Sequence, residues 1–345
     1  MRFREITPVD VPRCVQLLIA HGGLQMTERV REALPALWSM LVSSNSPQPS
    51  LLIEDAEAAG HPVVCVVPGF FLRDDFVDHC LRRPRPYLFD AICAALLDGL
   101  RPLPSLDEVR TANSGDGLVA LISNPAYEPR PWHDPLLASM RRIAPMGFVH
   151  LFGGYRLRSL YYEAFGDDAA EYLRAGGFRI EHDFAERAGE ARLTPRLFVK
   201  HRADVEPGAI DLMAAHVFHC TEPRLGLTLA EQRVVLRALL GESDRLIAAA
   251  LHISTETVRS AWESIYTRIM RVVPAVFESE VGDRGGRGTE KRRSAVEYLR
   301  QHMHELRPYR SAHSAASRAA HRLEHAAQRG HGVRAGGFDR FVDSE

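Results

Sequence analysis

Over the first 200 residues, runs with a two-residue hydrophobic period are interleaved with runs of helical period. Residues 3–6 (FREI) form a short strand candidate, and Thr7-Pro8-Val9-Asp10 follows with an N-cap and a proline at the first helical position. Val11, Cys14, Val15, Leu17 and Leu18 then recur at helical spacing. Residues 50–55 (SLLIED) and 63–72 (VVCVVPGFFL) predict a hairpin joined by AEAAGH. Pro68 has no N–H for a ladder, so the second run predicts an edge or a bulge. Residues 117–123 (GLVALIS) predict another strand. Residues 155–173 carry a helical pattern that Gly176-Gly177 ends, with strand candidates at 178–180 and 197–199.

The pattern changes after a connector at 201–226. Thr228 with Glu231 three residues on is a capping box, Val234, Val235, Ala238 and Leu239 give an apolar face, and Gly241 stops the helix. Ser243 caps a short second helix on Ile247, Ala248 and Leu251. His252-Ile253 turn the chain, and Ser254 caps a third helix with Val258, Ala261, Trp262, Ile265 and Ile269 in one stripe. Its polar side opens with Thr255, Glu256, Arg259, Ser260 and Glu263. Two short helices joined by a tight turn, the second opening with small polar residues and an arginine, fit a major groove. Arg259 is placed to reach guanine or phosphate, and Thr255 and Thr257 to hold phosphate at the helix N-terminus.

Residues 282–288 (GDRGGRG) predict a flexible linker. Residues 289–308 restore a helix with Val296, Leu299, Met303 and Leu306 on one face, which must bury against the preceding helices or a second copy. The Ala/Ser/His/Arg/Gly-rich residues 309–345 offer little to bury and read as disordered.

Composition adds constraints. At 345 residues, 46% hydrophobic and 25% charged, the chain has the size of two globular domains. The N-terminus MRFREITPVD is charged at once, unlike a signal peptide, and no apolar run reaches membrane-spanning length. Five scattered cysteines without a CxxC pair fit a cytoplasmic setting. The net charge of −1 does not favour nucleic acid, and residues 227–270 balance five basic against five acidic side chains. Any nucleic-acid reading therefore rests on the motif.

That motif resembles, without a gap, the LuxR-type DNA-binding domain of bacterial transcription regulators, through Leu227, Thr228, Glu231, Gly241, Ser243, Ile247-Ala248, Leu251, Ile253-Ser254, Thr257-Val258 and Ile265-Tyr266. The resemblance implies sequence-specific double-stranded DNA binding as a homodimer, with RNA polymerase and a small-molecule effector as further partners and no membrane. It puts residues 254–269 in the major groove. Thr255, Thr257, Arg259, Ser260, Glu263 and Arg268 lie on that helix, and Arg245 where the supporting helix approaches the backbone. The chain departs from the pattern at Leu246, commonly acidic, and at Glu263, usually basic or polar.

In residues 1–200, the opening FREITPVDVPRCVQLL, the hairpin SLLIEDAEAAGHPVVCVV and the passage AAEYLRAGGFRI resemble, in that order, pieces of the GNAT acyltransferase fold. An active member carries a glycine-rich turn whose amides grip the cofactor pyrophosphate. This chain reads NPAYEPRPWHDP after the strand at 117–123. The resemblance thus implies a sensor or scaffold, not an enzyme, with no cofactor assigned.

The expected class is α+β: a GNAT-like domain (1–200), a connector (201–226), an all-α helix-turn-helix module (227–273) and a C-terminal helix (289–308). The function expected is transcription regulation; the alternatives are an acetyl-CoA-dependent acyltransferase and a protein-interaction module. His216, His219 and Cys220 could face a metal from one helix or belong to a buried connector, and no metal is assigned. Lys291-Arg292-Arg293 could touch phosphate or form a solvated helix face.

Overall fold

The computed structural model describes residues 1–21, 26–43, 48–123, 125–128, 134–184, 194–205, 217–218, 220–278 and 287–310. Among them, β1 (Arg2–Glu5), β2 (Leu51–Glu54), β3 (Val63–Val67) and β6 (Ala126–Tyr127) form an antiparallel sheet in the order β1-β2-β3-β6. A second sheet has the order β4-β5-β7-β9-β8, built from β4 (Gly69–Leu72), β5 (Leu118–Ile122), β7 (Leu157–Phe165), β8 (Arg179–Asp183) and β9 (Pro195–His201). Among the described strands only β5 and β7 pair in parallel. The chain is thus mixed α+β.

The two sheets meet at one irregularity. Val66 pairs with Ala126 on one side of it and Gly69 with Ile122 on the other, so two residues separate the paired positions on one strand and three on the other. An extra residue in one strand bends the ladder and increases its twist. Pro68 withholds an N–H but accepts one from Ser123 at 2.9 Å. The bulge that Pro68 predicted is therefore the boundary between sheets.

Helices cover both faces. α1 (Val11–His21), α2 (Glu28–Ser43) and α4 (Leu88–Leu97) bring Leu17, Leu34, Trp38 and Ile92 to one face, against Leu52, Leu121 and Val199. α6 (Pro135–Phe152) and α7 (Asp167–Ala175) bring Met140, Phe152 and Leu173 to the other, against Ile53, Ala120 and Phe198. α3 (Asp74–Arg82), α4 and α5 (Leu106–Ser114) fill a stretch that the periodicity left without elements.

The helical reading of residues 155–173 is corrected. Residues 157–165 are the central strand β7, and helix is confined to α7. β7 is covered on both faces, with Leu160 and Ala164 in one core and Tyr161 in the other. Apolar residues on both faces erase the period of two that marks a half-exposed strand.

The second half is helical where the caps predicted. α8 (Leu229–Leu239) starts at the Thr228–Glu231 box, in which each backbone N–H meets the other's side chain at 2.6 and 3.3 Å. α9 (Asp244–Leu251) ends at His252 in the left-handed region, and Ser254 accepts the Thr257 N–H to cap α10 (Thr255–Val272). α11 (Ala275–Glu278), α12 (Arg287–Gln301) and a 3-10 turn at Met303–Leu306 follow. Leu299 and Leu306 are buried with Val234, Val235, Ile265 and Ile269, so the predicted stripe packs within its own chain. Of the predicted linker, residues 282–286 lie outside the described residues and Arg287 opens α12. Residues 311–345 also lie outside them.

Met1–Tyr309 make up one compact unit, and residues 303–308 strap its helical half to its α/β half. Arg307 is 5% exposed; its Nε donates to Gly153 O at 2.9 Å, its Nη2 to His150 O, and its guanidinium lies 4.6 Å over the Tyr155 ring. Asn113 donates to Pro308 O at 2.8 Å, and Gln232 of α8 to Arg307 O at 3.2 Å. Buried Glu305 accepts the Arg224 and Leu225 amides at 2.9 to 3.0 Å, fixing the entry to α8. Gly154, at φ 83°, admits this strap: a Cβ there would stand 2.4 Å from His304 N.

Gly154→Ala should lower the unfolding free energy by roughly 3 kcal/mol, part backbone strain and part overpacking. Gly241→Ala, just past the end of α8, has a similar φ but open space around its Cβ, and should lose only about 1 kcal/mol. Urea denaturation of the pair is the check, and equal losses would contradict the close seat of the strap.

Candidate functional site

β5 and β7 run side by side only to Ile122 and Tyr162. The chain then leaves for the other sheet, where β6 pairs with β3 and forms the sheet's edge. Glu163, Ala164 and Phe165 continue β7 with only Leu197, Arg196 and Pro195 of β9 as strand partners. Two strand edges thus diverge, each offering backbone N–H and C=O groups. In open sheets, ligands collect in the crevice beyond the carboxyl ends of parallel strands.

The gap is a cavity of about 690 Å³, the size of a small-molecule site. Cys65, Tyr127 and Tyr162 line it from the strands, Arg141 and Ala144 from α6, and Asp168 from α7. Burial raises the Cys65 thiol and the Tyr127 and Tyr162 hydroxyls above their ordinary titration ranges. At neutral pH all three keep their protons. They can donate hydrogen bonds, and Cys65 is not a thiolate nucleophile.

The N-terminus of α6 stands at one end of this wall. Asp134 accepts the Leu136 and Leu137 amides at 2.8 and 3.3 Å, and Pro135 has no N–H. A helix start grips phosphate through free amides and a positive dipole end. Here a carboxylate already occupies that position, so this terminus does not fit a diphosphate. The gap itself fits an extended ligand that carries amides.

Glu163, fully buried at the divergence, serves a different purpose. Its carboxylate takes the Leu88 N–H at 3.0 and 3.1 Å from across the sheet, at the start of α4. Burial raises its pKa to about 7, against the opposing pull of the Leu88, Tyr87 and Phe89 amides. It caps α4 and holds that helix on the sheet.

The residues singled out for DNA stand elsewhere, and none lines the gap. Arg245, Thr255, Thr257, Arg259, Ser260 and Glu263 are exposed on α9 and α10. Arg259 meets Glu256 at 3.2 Å. Arg268 is turned inward, with its guanidinium on Glu231 and the Gly226 carbonyl at 3.3 and 3.0 Å. Arg292 stacks 4.9 Å over Trp262 and pairs with Asp244, so it clamps three helices together. Of the possible metal trio, His216 and His219 lie outside the described residues, and the Cys220 thiol donates to Gly154 O at 3.3 Å.

Sequence reasoning missed Tyr162 because β7 read as a helix. It missed Cys65, Tyr127 and Arg141 because they converge only in the fold. The Asp134-Pro135 pair was a readable helix-start signature.

No protein-family model matches the chain, and no curated protein does. Among solved structures it is similar to a polyamine N-acetyltransferase of Drosophila melanogaster (11% identity, 58% of this chain and 99% of that chain, TM-score 0.32). It is also similar to NAA60 of Arabidopsis thaliana in complex with acetyl-CoA (14%, 58% and 97%, TM-score 0.34). A third is a putative arylalkylamine N-acetyltransferase 7 of the yellow fever mosquito (9%, 58% and 86%, TM-score 0.34). Likeness at this level does not establish membership of a family.

Two expectations are corrected. Transcription regulation and DNA binding through a LuxR-type module are withdrawn. No family model matches the module, and two of the solved structures named above are N-acetyltransferases by name. The physical reason lies on α10, whose exposed face sets Glu256 and Glu263 beside Arg259 while Arg268 is spent on Glu231. Such a face gives little attraction for phosphate. The reading of the chain as not an enzyme is likewise corrected and not kept: of the solved structures named above, two are named N-acetyltransferases and the third is in complex with acetyl-CoA.

The raised pKa of Glu163 has a stability consequence. Between the ordinary carboxylate value of 4.5 and about 7, the unfolded chain gives up this proton while the folded chain keeps it, so stability falls as pH rises through that window. Glu163→Gln retains an acceptor for the α4 amides and should flatten this fall. Unfolding free energies measured at both ends of the window check it, and an unchanged slope would contradict the assignment.

Proposed function

We propose that the α/β half is a GNAT-type acyltransferase, which moves an acyl group from a thioester such as acetyl-CoA to an amine. The single observation that carries this reading is the divergence of β6 from β7. Pantetheine is an extended arm with two amides, and such an arm can pair with the two free strand edges as an added strand does. Leu137, Ala144 and Phe148 give its methylenes an apolar wall. In the transfer, the amine nitrogen bonds to the acyl carbon as the C–S bond breaks. The amine loses a proton and the sulfur gains one. Tyr127 and Tyr162 hold protons at the gap that can meet a departing sulfur.

The order of strands supports the same reading. Four antiparallel strands lead into one parallel pair, and the last two strands return as a hairpin with the later strand inside. This matches the order of the three GNAT-like pieces in the sequence. Asp134 sets the chain apart, and it makes a nucleotide diphosphate a poorly held part of the donor.

Calorimetry of the full chain with acetyl-CoA tests the proposal, alongside release of free thiol in the presence of amines. Saturable binding is expected, and Ala144→Trp should abolish it by filling the gap. Asp134→Asn keeps the helix cap but removes the charge, and should tighten binding roughly threefold to fivefold. No heat from either wild type or Asp134→Asn, or unimpaired binding by Ala144→Trp, would refute the proposal.

A further inference from the structure

A cleft of about 310 Å³ opens where the chain enters α2, beside the start of α4. Met26, Pro86, Tyr87 and Ala91 give it apolar walls, and its charged lining among the described residues is Arg85 and Asp90. Tyr87 also stacks on Phe165, a wall residue of the gap between β6 and β7, with ring centroids 6.3 Å apart. The cleft therefore adjoins the candidate site but shares no lining residue with it.

Both charged groups of this cleft are open. The exposed Arg85 guanidinium has no hydrogen bond and no ion pair among the described residues. Asp90 accepts the N–H and the hydroxyl of Thr27, at 2.8 and 3.1 Å, through the single oxygen Oδ1. Its Oδ2 has no partner among the described residues. The two groups thus line one cleft without pairing with each other, and the backbone holds each in place. Arg85 stands between Pro84 and Pro86, and a residue before proline is confined to extended conformations. Asp90 is fixed by the first turn of α4 and by Thr27.

We infer that this cleft binds a free α-amino acid with an apolar side chain, such as leucine. Its carboxylate meets the Arg85 guanidinium, whose planar fork of donors matches two carboxylate oxygens. Its ammonium meets Asp90 Oδ2. Its side chain covers Met26, Pro86 and the Tyr87 ring. Only a ligand with both charges satisfies both groups. An inorganic anion leaves Asp90 facing a like charge, and a plain amine leaves Arg85 without a partner. The volume of the cleft stands at the low end for small-molecule sites, which suits a ligand of this size. The inference concerns binding in this cleft alone and stands without the acyltransferase reading.

Leucine is the probe for the full chain, read by calorimetry with no thioester present. Saturable binding is expected. Leucinamide lacks the carboxylate and isocaproate lacks the ammonium, and each should bind about tenfold more weakly, the worth of one hydrogen bond to a charged group. Arg85→Gln changes an exposed side chain, and should weaken leucine about tenfold while leaving leucinamide unchanged. Asp90→Asn keeps an acceptor for Thr27, and should weaken leucine to a similar degree while leaving isocaproate unchanged. Equal binding of leucine and leucinamide by the wild-type chain would overturn the inference. So would undiminished leucine binding by Arg85→Gln, or no saturable heat from the wild type. The comparison of leucine with its two analogues needs no variant at all.

Discussion

The α/β half depends on a constraint imposed where one strand pair cannot stay in register. Between the pairs Val66–Ala126 and Gly69–Ile122 one strand has two residues and the other three, and Pro68 contributes a carbonyl but no N–H to the ladder. The sheet cannot pass through that point flat. It turns, β6 follows β3, and β5 remains with β4 and β7. Because β7 continues straight for three residues more, its far end has no neighbour on one side. The cavity, its tyrosines and the helix starts around it all follow from this mismatch of one residue.

A second constraint fastens the helical half. Arg307 lies deep among backbone carbonyls of the turn between α6 and β7, and Gly154 makes room for the chain that carries it. Hydrogen bonds from a charged donor each contribute about 1.5–3 kcal/mol, so this contact is strong for its size. The helical half accordingly has a fixed seat and its own core, closed by Leu299 and Leu306. What remains exposed on α10 is a mixed-charge face with little preference for an anion.

Much of the fold was legible in the sequence, and the misses have physical causes. The hairpin at SLLIED and VVCVVPGFFL, the break at Pro68 and the caps at Thr228 and Ser254 are local signals, and the fold uses each. β7 was misread because covering both its faces removed the alternation that marks a strand. Arg307 could not be read at all, since its partners lie more than 150 residues away. The same holds for the candidate site, where Cys65, Tyr127, Arg141 and Tyr162 come together from four separate elements. The motif at 227–270 shows the converse: its caps and apolar stripe specify three packed helices, but packing signals do not specify what the outer face binds.

The central claim is that two diverging strand edges receive an extended thioester. Hydrogen exchange of the full chain with and without saturating acetyl-CoA tests it most directly, because the ligand would pair with backbone amides. Exchange is predicted to slow along both edges, at the amide of Ala126 or Tyr127 that turns away from β3 and at those of residues 163–165 that turn away from β9. Unchanged exchange at both edges, or slowing confined to the helical half, would contradict the claim.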